Sequence, residues 1–258
     1  MKRLLVGCLL TPAVVIGAIP TGLICLKDAY PWAIASVGEN NITFHDGTTM
    51  TYDEPNTPTE WKLLINHADL AAQMSQHYPL GWNYHSKLTP NYDPGRLRYQ
   101  PFFEKLYGKN EAEVRRDLVS IDWMPKSGGG KLLVTKRGGV AQKFQAISDE
   151  LDRLPPSYRV YLLPPGGTFI WRPIAGTKRL SMHSFGIAID INVPKSHYWR
   201  DENPNEDAPL TYRNTIPRQI VEIFEKHGFI WGGKWYHYDT MHFEYRPELL
   251  DPRCANKP

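Results

Sequence analysis

The chain has 258 residues, of which 41% are hydrophobic and 22% charged, so it can bury a core but holds one principal domain. Its 30 Lys and Arg residues against 27 Asp and Glu residues leave a formal charge of only +3, without a basic run. This balance excludes nucleic acid as the expected partner, since binding to a phosphate backbone depends on clustered Lys and Arg side chains.

The N-terminus has the pattern of an export segment. The first three residues are Met-Lys-Arg, and residues 4–26 carry no charged side chain. The pattern predicts a signal peptide over residues 1–35, cut after Ala35, or an uncleaved anchor, because ~20 apolar residues can cross a bilayer. Either alternative predicts an exported protein of the periplasm or cell envelope, and the anchor alternative would hold it at the inner membrane.

The predicted export segment also determines which cysteines remain in the mature chain. Cys8 and Cys25 lie in the predicted export segment, so a cut after Ala35 leaves Cys254 alone. No disulfide is therefore predicted within the mature chain.

Residues 36–130 are predicted to be an N-terminal extension that covers the rest of the chain. Asp46 and Gly47 lie between two β-prone triplets, which is a strong signal for a hairpin. Apolar spacing favours a short helix over residues 60–77 and another over residues 102–119. No motif in this region indicates a specific function.

A domain boundary is predicted near residue 130. Residues 126–130 read Lys-Ser-Gly-Gly-Gly, a composition typical of a hinge or linker. The principal domain is expected to span residues 131–250, followed by a short tail over residues 251–258.

The elements of this domain mix without strict alternation. The sequence predicts strands over residues 132–135 and 158–163, a helix over residues 140–151, and a helix over residues 216–227 with Thr215 as N-cap and Gly228 as its stop. The fold class expected is α+β, with a small and mostly antiparallel sheet and flanking helices.

Branched residues alternate in the Gly186-to-Val193 stretch. A strand there buries Ile187, Ile189, Ile191 and Val193 on one face, so Asp190 points from the other. A buried carboxylate costs several kcal/mol unless it is paired or ligated. The simplest reason for an aspartate at this position is a bound cation.

Two histidines complete a candidate ligand set. His183 would reach the face of Asp190 if the chain bends at Gly186, and His242 opens a second predicted strand. Two imidazoles and one carboxylate leave a fourth tetrahedral position for water, as in catalytic zinc sites. Asp239, three residues before His242, is placed to act as general base.

These strings together resemble the M15 family of metallopeptidases. The resemblance rests on Ser181-x-His183-x-x-Gly186-x-Ala188-x-Asp190, on Asp239-x-x-His242-Phe243-Glu244 and on Trp-Gly-Gly-Lys-Trp from residue 231. The last two strings are similar to the branch that has aspartate as base. The resemblance implies one zinc ion bound by His183, Asp190 and His242, with Asp239 as base.

The resemblance also implies that an arginine stabilises the oxyanion formed during hydrolysis. Arg172 is preferred for this role because of its apolar, strand-like context, and Arg179 stays an alternative. His237 is an alternative metal ligand, or a residue that donates a hydrogen bond to one of the ligands. A terminal carboxylate of the substrate is assigned to Arg179 or Lys234.

The expected substrates are peptidoglycan stem peptides or muropeptides, cut at a terminal D-alanine or between L-alanine and D-glutamate. Two other functions stay open at this point: a zinc-containing module that binds cell wall without turnover, and a zinc amidase that acts on other small amides.

Overall fold

The computed structural model of the protein describes residues 18–203, 205 and 208–255. Short helices and small antiparallel sheets alternate along the chain, which confirms the α+β prediction. The α-helices are α1 Thr21–Ala29, α2 Trp61–His67, α3 Leu70–Gln73, α4 Gln100–Tyr107, α5 Glu111–Arg116, α6 Val140–Leu151, α7 Arg159–Leu162, α8 Trp199–Glu202 and α9 Arg218–Lys226. The strands are β1 Ile34–Val37, β2 Asn41–Phe44, β3 Thr49–Thr51, β4 Leu118–Asp122, β5 Lys131–Thr135, β6 Ala188–Asp190, β7 Phe229–Trp231 and β8 His242–Tyr245.

The first sheet contains the hairpin predicted around Asp46 and Gly47. Strands β2 and β3 pair antiparallel with Ile42 opposite Met50, and β1 adds to the other side of β2. Asp46 Oδ1 accepts hydrogen bonds from the amide and hydroxyl of Thr48, which stabilise the turn.

Helix α1 corrects the boundary placed at residue 35. Leu23, Cys25, Leu26 and Tyr30 are fully buried in the main core, and Ile34 is 2% exposed in β1. A cut after Ala35 would remove all of α1 and the first two residues of β1. The basic start and most of the apolar stretch fall within residues 1–17, outside the described residues.

A disulfide joins Cys25 in α1 to Cys254 near the C-terminus, across 229 residues of sequence. The prediction that no disulfide forms was wrong, because it assigned Cys25 to a removed segment. The bond also attaches the region predicted as a tail to α1. Among the described residues, no helix is both long enough and apolar enough to span a membrane.

The glycine-rich segment at 126–130 is the turn of a hairpin. Strands β4 and β5 on either side of it pair in register, with Ser120 opposite Leu133. The hydrophobic core continues across this point, and the rings of Phe103 and Phe185 lie 6.0 Å apart. The interpretation of this segment as a linker was therefore wrong, since Lys-Ser-Gly-Gly-Gly suits a tight turn as well as a hinge.

Local capping divides two predicted helices. Residues 60–77 form α2 and α3, because the Asp69 side chain accepts a hydrogen bond from the Ala72 amide and starts a new helix. Residues 102–119 form the end of α4, then α5, then the start of β4, and Asn110 caps α5 through the Glu113 amide.

The strand predicted over residues 158–163 is instead the short helix α7. A four-residue apolar run has no periodicity that separates a strand from a buried helical turn. The strand at 132–135 and the helix at 140–151 are confirmed, as part of β5 and as α6. Helix α9 begins two residues later than predicted, and Thr215 donates its hydroxyl to the Lys195 carbonyl instead of capping it.

The sheet that carries the candidate site has the order β6-β8-β7, with both pairs antiparallel. Helices α6 and α9 cover one face. The Phe224 ring of α9 stacks on Phe243 at 3.9 Å, and Phe144 of α6 meets Phe229 at 4.6 Å. Aromatic packing on this face holds the strands while the other face is left for polar side chains.

Candidate metal centre

Asp190 and His242 lie directly opposite each other on neighbouring strands. They are paired in the register of β6 and β8, one residue along from the buried pair Ile189 and Phe243. Since side chains alternate along a strand, Asp190 and His242 point together to the face away from the helices. Strand β6 ends at Asp190, and Val193, predicted to be buried, is 45% exposed.

His183 reaches the same point from a 3-10 turn, Met182–Phe185. The Ser181 side chain accepts a hydrogen bond from the His183 amide and starts the turn. Gly186 ends it with a φ of +67°, where a Cβ would lie 2.8 Å from Leu118 Cδ2. The predicted bend at Gly186 is thus present, and both backbone conformation and space require glycine there.

The three side chains converge within coordinating reach of one ion. His183 Nε2 lies 3.2 Å and His242 Nδ1 3.0 Å from Asp190 Oδ1, and one ligand atom from each residue lies within 4.8 Å of the others. Tetrahedral zinc with bonds of about 2.0–2.2 Å keeps its ligand atoms about 3.5 Å apart. The cluster could therefore hold a metal ion after small adjustments.

The remaining ring nitrogens fix which atom of each imidazole faces the cluster. His183 Nδ1 lies 2.6 Å from the Thr168 carbonyl oxygen, to which it donates. His242 Nε2 lies 2.9 Å from Glu244 Oε2 and donates to that carboxylate. His183 thus offers Nε2 to a metal and His242 offers Nδ1, each with its tautomer set by an acceptor behind the ring.

The charges of the cluster are strongly coupled. Burial raises the pKa of the Asp190 carboxyl, but His183 and His242 outweigh it and hold that pKa well below the usual range. Burial lowers the pKa of His242, yet its hydrogen bonds to Asp190 and Glu244 raise it to about 10. A metal ion must displace that proton from Nδ1, so metal binding at this site releases protons.

Asp239 lies beside the cluster in the turn that enters β8. Its amide donates to the Gly232 carbonyl at 3.0 Å, and a Cβ on Gly232 would lie 2.5 Å from the Asp239 carbonyl, so glycine permits this close approach. Asp239 Oδ1 is buried and has no hydrogen-bond partner among the described residues. Burial, with the negative charge of Asp190, raises the pKa of Asp239 to about 6.

This donor set fits zinc. Two neutral imidazole nitrogens and one ionised carboxylate are ligands that zinc accepts, and they leave a coordination position open. A buried acceptor without a hydrogen-bond partner costs free energy. The buried Asp239 oxygen would therefore be stabilised by a hydrogen-bond donor, such as water, at the open coordination position.

The cluster lies in a cavity of about 400 Å³. Arg172 and Arg179 both line it, on the segment that precedes His183. Arg172 is exposed, whereas Arg179 donates from Nε to Asn66 Oδ1 at 3.1 Å. Lys234 does not contribute to the cavity wall; it is fully buried, with Nζ donating to the carbonyls of Pro79 and Gly81. The assignment of Lys234 to a substrate carboxylate was therefore wrong.

Part of the cavity wall comes from the N-terminal region, which the sequence did not assign to the site. Asp93 accepts hydrogen bonds from His237 Nδ1 at 2.6 Å and from Arg96 Nη1 at 2.8 Å. His237 is thereby held in the wall and lies outside the three-residue cluster.

Arg98 also lines the cavity, and much of the remaining wall is formed by Tyr198, Trp199, Asp201 and Trp235. No motif in the sequence indicated that Asp93, Arg96 or Arg98 would belong to this site.

A family model described as D-alanyl-D-alanine carboxypeptidase, of the M15 peptidases, matches residues 175–245. Over this segment the chain is similar to M15 peptidases. No curated protein and no solved structure matches the chain significantly. The M15 match contains His183, Asp190, Asp239 and His242, whereas Arg172 and the arginines of the N-terminal region lie outside it. The match supports a peptidase of the D-alanyl-D-alanine carboxypeptidase kind.

Proposed function

We propose that this protein is a zinc-dependent peptidase that hydrolyses peptide bonds in peptidoglycan stem peptides. The observation that carries the proposal is the buried, unpartnered Asp239 oxygen beside the convergent His183, Asp190 and His242, in one cavity. A metal site that served only to stabilise the fold would close its fourth position and have no need of such an acceptor.

The proposed mechanism assigns a role to each side chain. His183 Nε2, Asp190 and His242 Nδ1 would hold one zinc ion, which supplies Lewis acidity that makes water a nucleophile near neutral pH. Asp239 Oδ1 takes the proton of the attacking water and returns it to the leaving nitrogen. The raised pKa of Asp239, about 6, suits a group that must both accept and release a proton.

Arg172 is proposed to stabilise the oxyanion of the tetrahedral intermediate. It lines the cavity near the cluster, and its backbone is held by hydrogen bonds between its amide and Ser184 Oγ and between its carbonyl and the Ser181 amide. Arg179 is the second candidate, although its guanidinium is engaged by Asn66.

The proposed substrate class rests on the family match and on the cavity. The family model is described by its activity on D-alanyl-D-alanine, and removal of a terminal residue fits a cavity whose wall contains Arg172 and Arg179. Arginine recognises carboxylates well, because its planar donors match both oxygens. A cut between L-alanine and D-glutamate is the alternative bond.

We also propose that the protein is exported to the periplasm or cell envelope. The Cys25–Cys254 disulfide supports this location, because such bonds persist in oxidising compartments and are rare in the cytosol. Stem peptides are found in the same compartment.

The proposal is tested by incubating the protein with purified muropeptides, after zinc loading and after chelation, and weighing the products. The expected result is the zinc-dependent loss of a terminal alanine. A split between alanine and glutamate would assign the endopeptidase reaction. Zinc-loaded protein that releases no amine from any muropeptide would overturn the peptidase proposal and leave a binding module, and turnover of non-peptide amides alone would indicate an amidase.

A further inference from the structure

A chain of buried charges runs from the candidate metal centre to the N-terminal helix. His242 Nε2 donates to Glu244, and Glu244 accepts from both Arg98 and Arg246. Arg246 Nε donates to Glu248 at 2.5 Å, and Glu248 accepts at 2.6 Å from the Tyr30 hydroxyl of α1. The side chains of Glu244, Arg246 and Glu248 are fully buried.

Arg98 holds the end of this network nearest the metal centre. Its Nε and Nη2 lie 3.2 and 2.5 Å from the two oxygens of Glu244, a bidentate geometry. Its guanidinium also lies 5.7 Å from the ring centre of Trp235, whose ring is 5.8 Å from that of His242. Arg98 is 9% exposed and lies far outside the segment that matches the M15 family.

The geometry of Glu244 determines which nitrogen of His242 is available. A carboxylate behind Nε2 keeps the proton on that atom and leaves Nδ1 to face Asp190 and His183. The two arginines hold this carboxylate in place, since Arg98 donates to both of its oxygens and Arg246 donates to Oε1.

We propose that Arg98 and Glu244 are positioning residues for the metal centre, which fix the tautomer and orientation of His242 and thereby set zinc affinity. The inference rests on the proposed function in that it takes zinc as the ion. Neither residue contacts substrate in this role; each acts through His242. The N-terminal region then forms part of the metal centre as well as of the cavity wall.

The test measures the zinc dissociation constant by competition with a chromophoric chelator, together with the visible spectrum of the cobalt-loaded protein. Arg98→Met keeps the packing against Trp235 and removes the bidentate pair, and Glu244→Gln removes the carboxylate. We expect zinc affinity about 10- to 100-fold weaker in both, the range found when a partner behind a metal-bound histidine is lost. The cobalt spectrum should change as well.

Tyr30→Phe is the matched control. It removes the hydrogen bond to Glu248 at the far end of the same network and leaves Glu244 with all its partners. We expect a lower melting temperature for the metal-free protein and an unchanged zinc affinity. Arg98→Lys retains the charge without the bidentate geometry, so it should fold if Arg98→Met does not and should show an intermediate loss of affinity.

The outcomes separate this inference from the proposed function. Variants that lose thermal stability while their zinc affinity and cobalt spectrum match wild type would overturn the positioning role and leave a purely structural network. Wild-type protein that binds no zinc would overturn the proposed function itself.

Discussion

The two histidines of the metal centre are supported in different ways. Behind His183 is a neutral backbone carbonyl, that of Thr168, 15 residues away in the sequence. Behind His242 is an ionised carboxylate whose own partner, Arg98, is 146 residues distant from it. One side of the site is therefore built by a local loop and the other by a buried charge network that draws on the N-terminal region.

The difference separates two ways of fixing an imidazole. A carbonyl cannot titrate and needs no counter-charge, so the His183 side depends mainly on the path of the backbone at Gly186. The carboxylate on the His242 side is a stronger acceptor, but its charge has to be compensated by Arg98 and Arg246. The His242 side is thus the more sensitive to distant substitutions.

The largest effect is expected from Asp190, the residue that both sides share. Asp190→Ala removes the carboxylate that lies within 3.2 Å of both imidazoles. We expect the variant to purify without zinc and to lose all measurable peptidase activity, as measured by elemental analysis and amine release. Asp201→Ala is the matched control, because Asp201 lines the same cavity outside the cluster. Stoichiometric zinc in the Asp190 variant would disprove the ligand assignment.

Asp239 is expected to affect chemistry without affecting either side of the metal centre. Asp239→Asn keeps the shape of the side chain but cannot accept a proton, so kcat should fall about 10²- to 10⁴-fold, the usual contribution of a general base. Zinc content should stay at one ion, which elemental analysis of the same sample would establish. A variant with near-normal kcat would exclude Asp239 as the base.

The two sides of the metal centre also differ in how well their residues could be predicted from the sequence. His183, Asp190 and His242 were predicted as ligands because strand alternation and the M15 strings involve residues close together in the chain, and the structure brings them together. Arg98 gave no signal, because an arginine in an unpatterned segment looks the same whether it is exposed or pairs with a residue 146 positions away.

The misassigned N-terminal segment has a related cause. An apolar run beginning at residue 4 is typical of an export signal, and composition does not reveal where the folded domain begins within it. Burial of Leu23 and Leu26 and the bond from Cys25 to Cys254 depend on contacts with the opposite end of the chain. Long-range pairings of this kind leave no local pattern in one sequence.

The disulfide offers a way to weaken the region behind His242 without touching the centre. The double variant Cys25→Ser, Cys254→Ser removes the covalent link between α1 and the C-terminal segment. Tyr30, at the far end of the charge network, directly follows α1. We expect the free energy of unfolding to fall by about 2–4 kcal/mol, measured by urea denaturation. Zinc affinity should change little, since Glu244 retains Arg98 and Arg246. An unchanged midpoint would show that the bond does not contribute to stability.

The smallest effect concerns pH. The Thr168 carbonyl does not titrate, and the pKa of Glu244 is held well below its usual range because Arg98 and His242 outweigh its burial. Burial and the charge of Asp190 raise the pKa of Asp239 to about 6 before a metal ion binds. Asp239 must be ionised to act as base, so kcat/KM of the zinc-loaded protein should fall as the pH drops below that value. Bound zinc adds positive charge beside Asp239 and so moves this acid limb of the pH profile to lower pH.

The pH profile is read with zinc content measured at each point, so that loss of the metal is distinguished from protonation of the base. A limb that persists in Asp239→Asn, measured on its residual activity, would assign the titration to another group.

The central claim is that one zinc ion is bound by one side chain from each half of the site and by Asp190 between them. A crystal structure of the zinc-loaded protein, with anomalous data collected above and below the zinc edge, tests it most directly. We expect one anomalous peak at about 2.0–2.2 Å from His183 Nε2, His242 Nδ1 and an Asp190 oxygen. A peak located elsewhere, or bound through His242 Nε2, would contradict it.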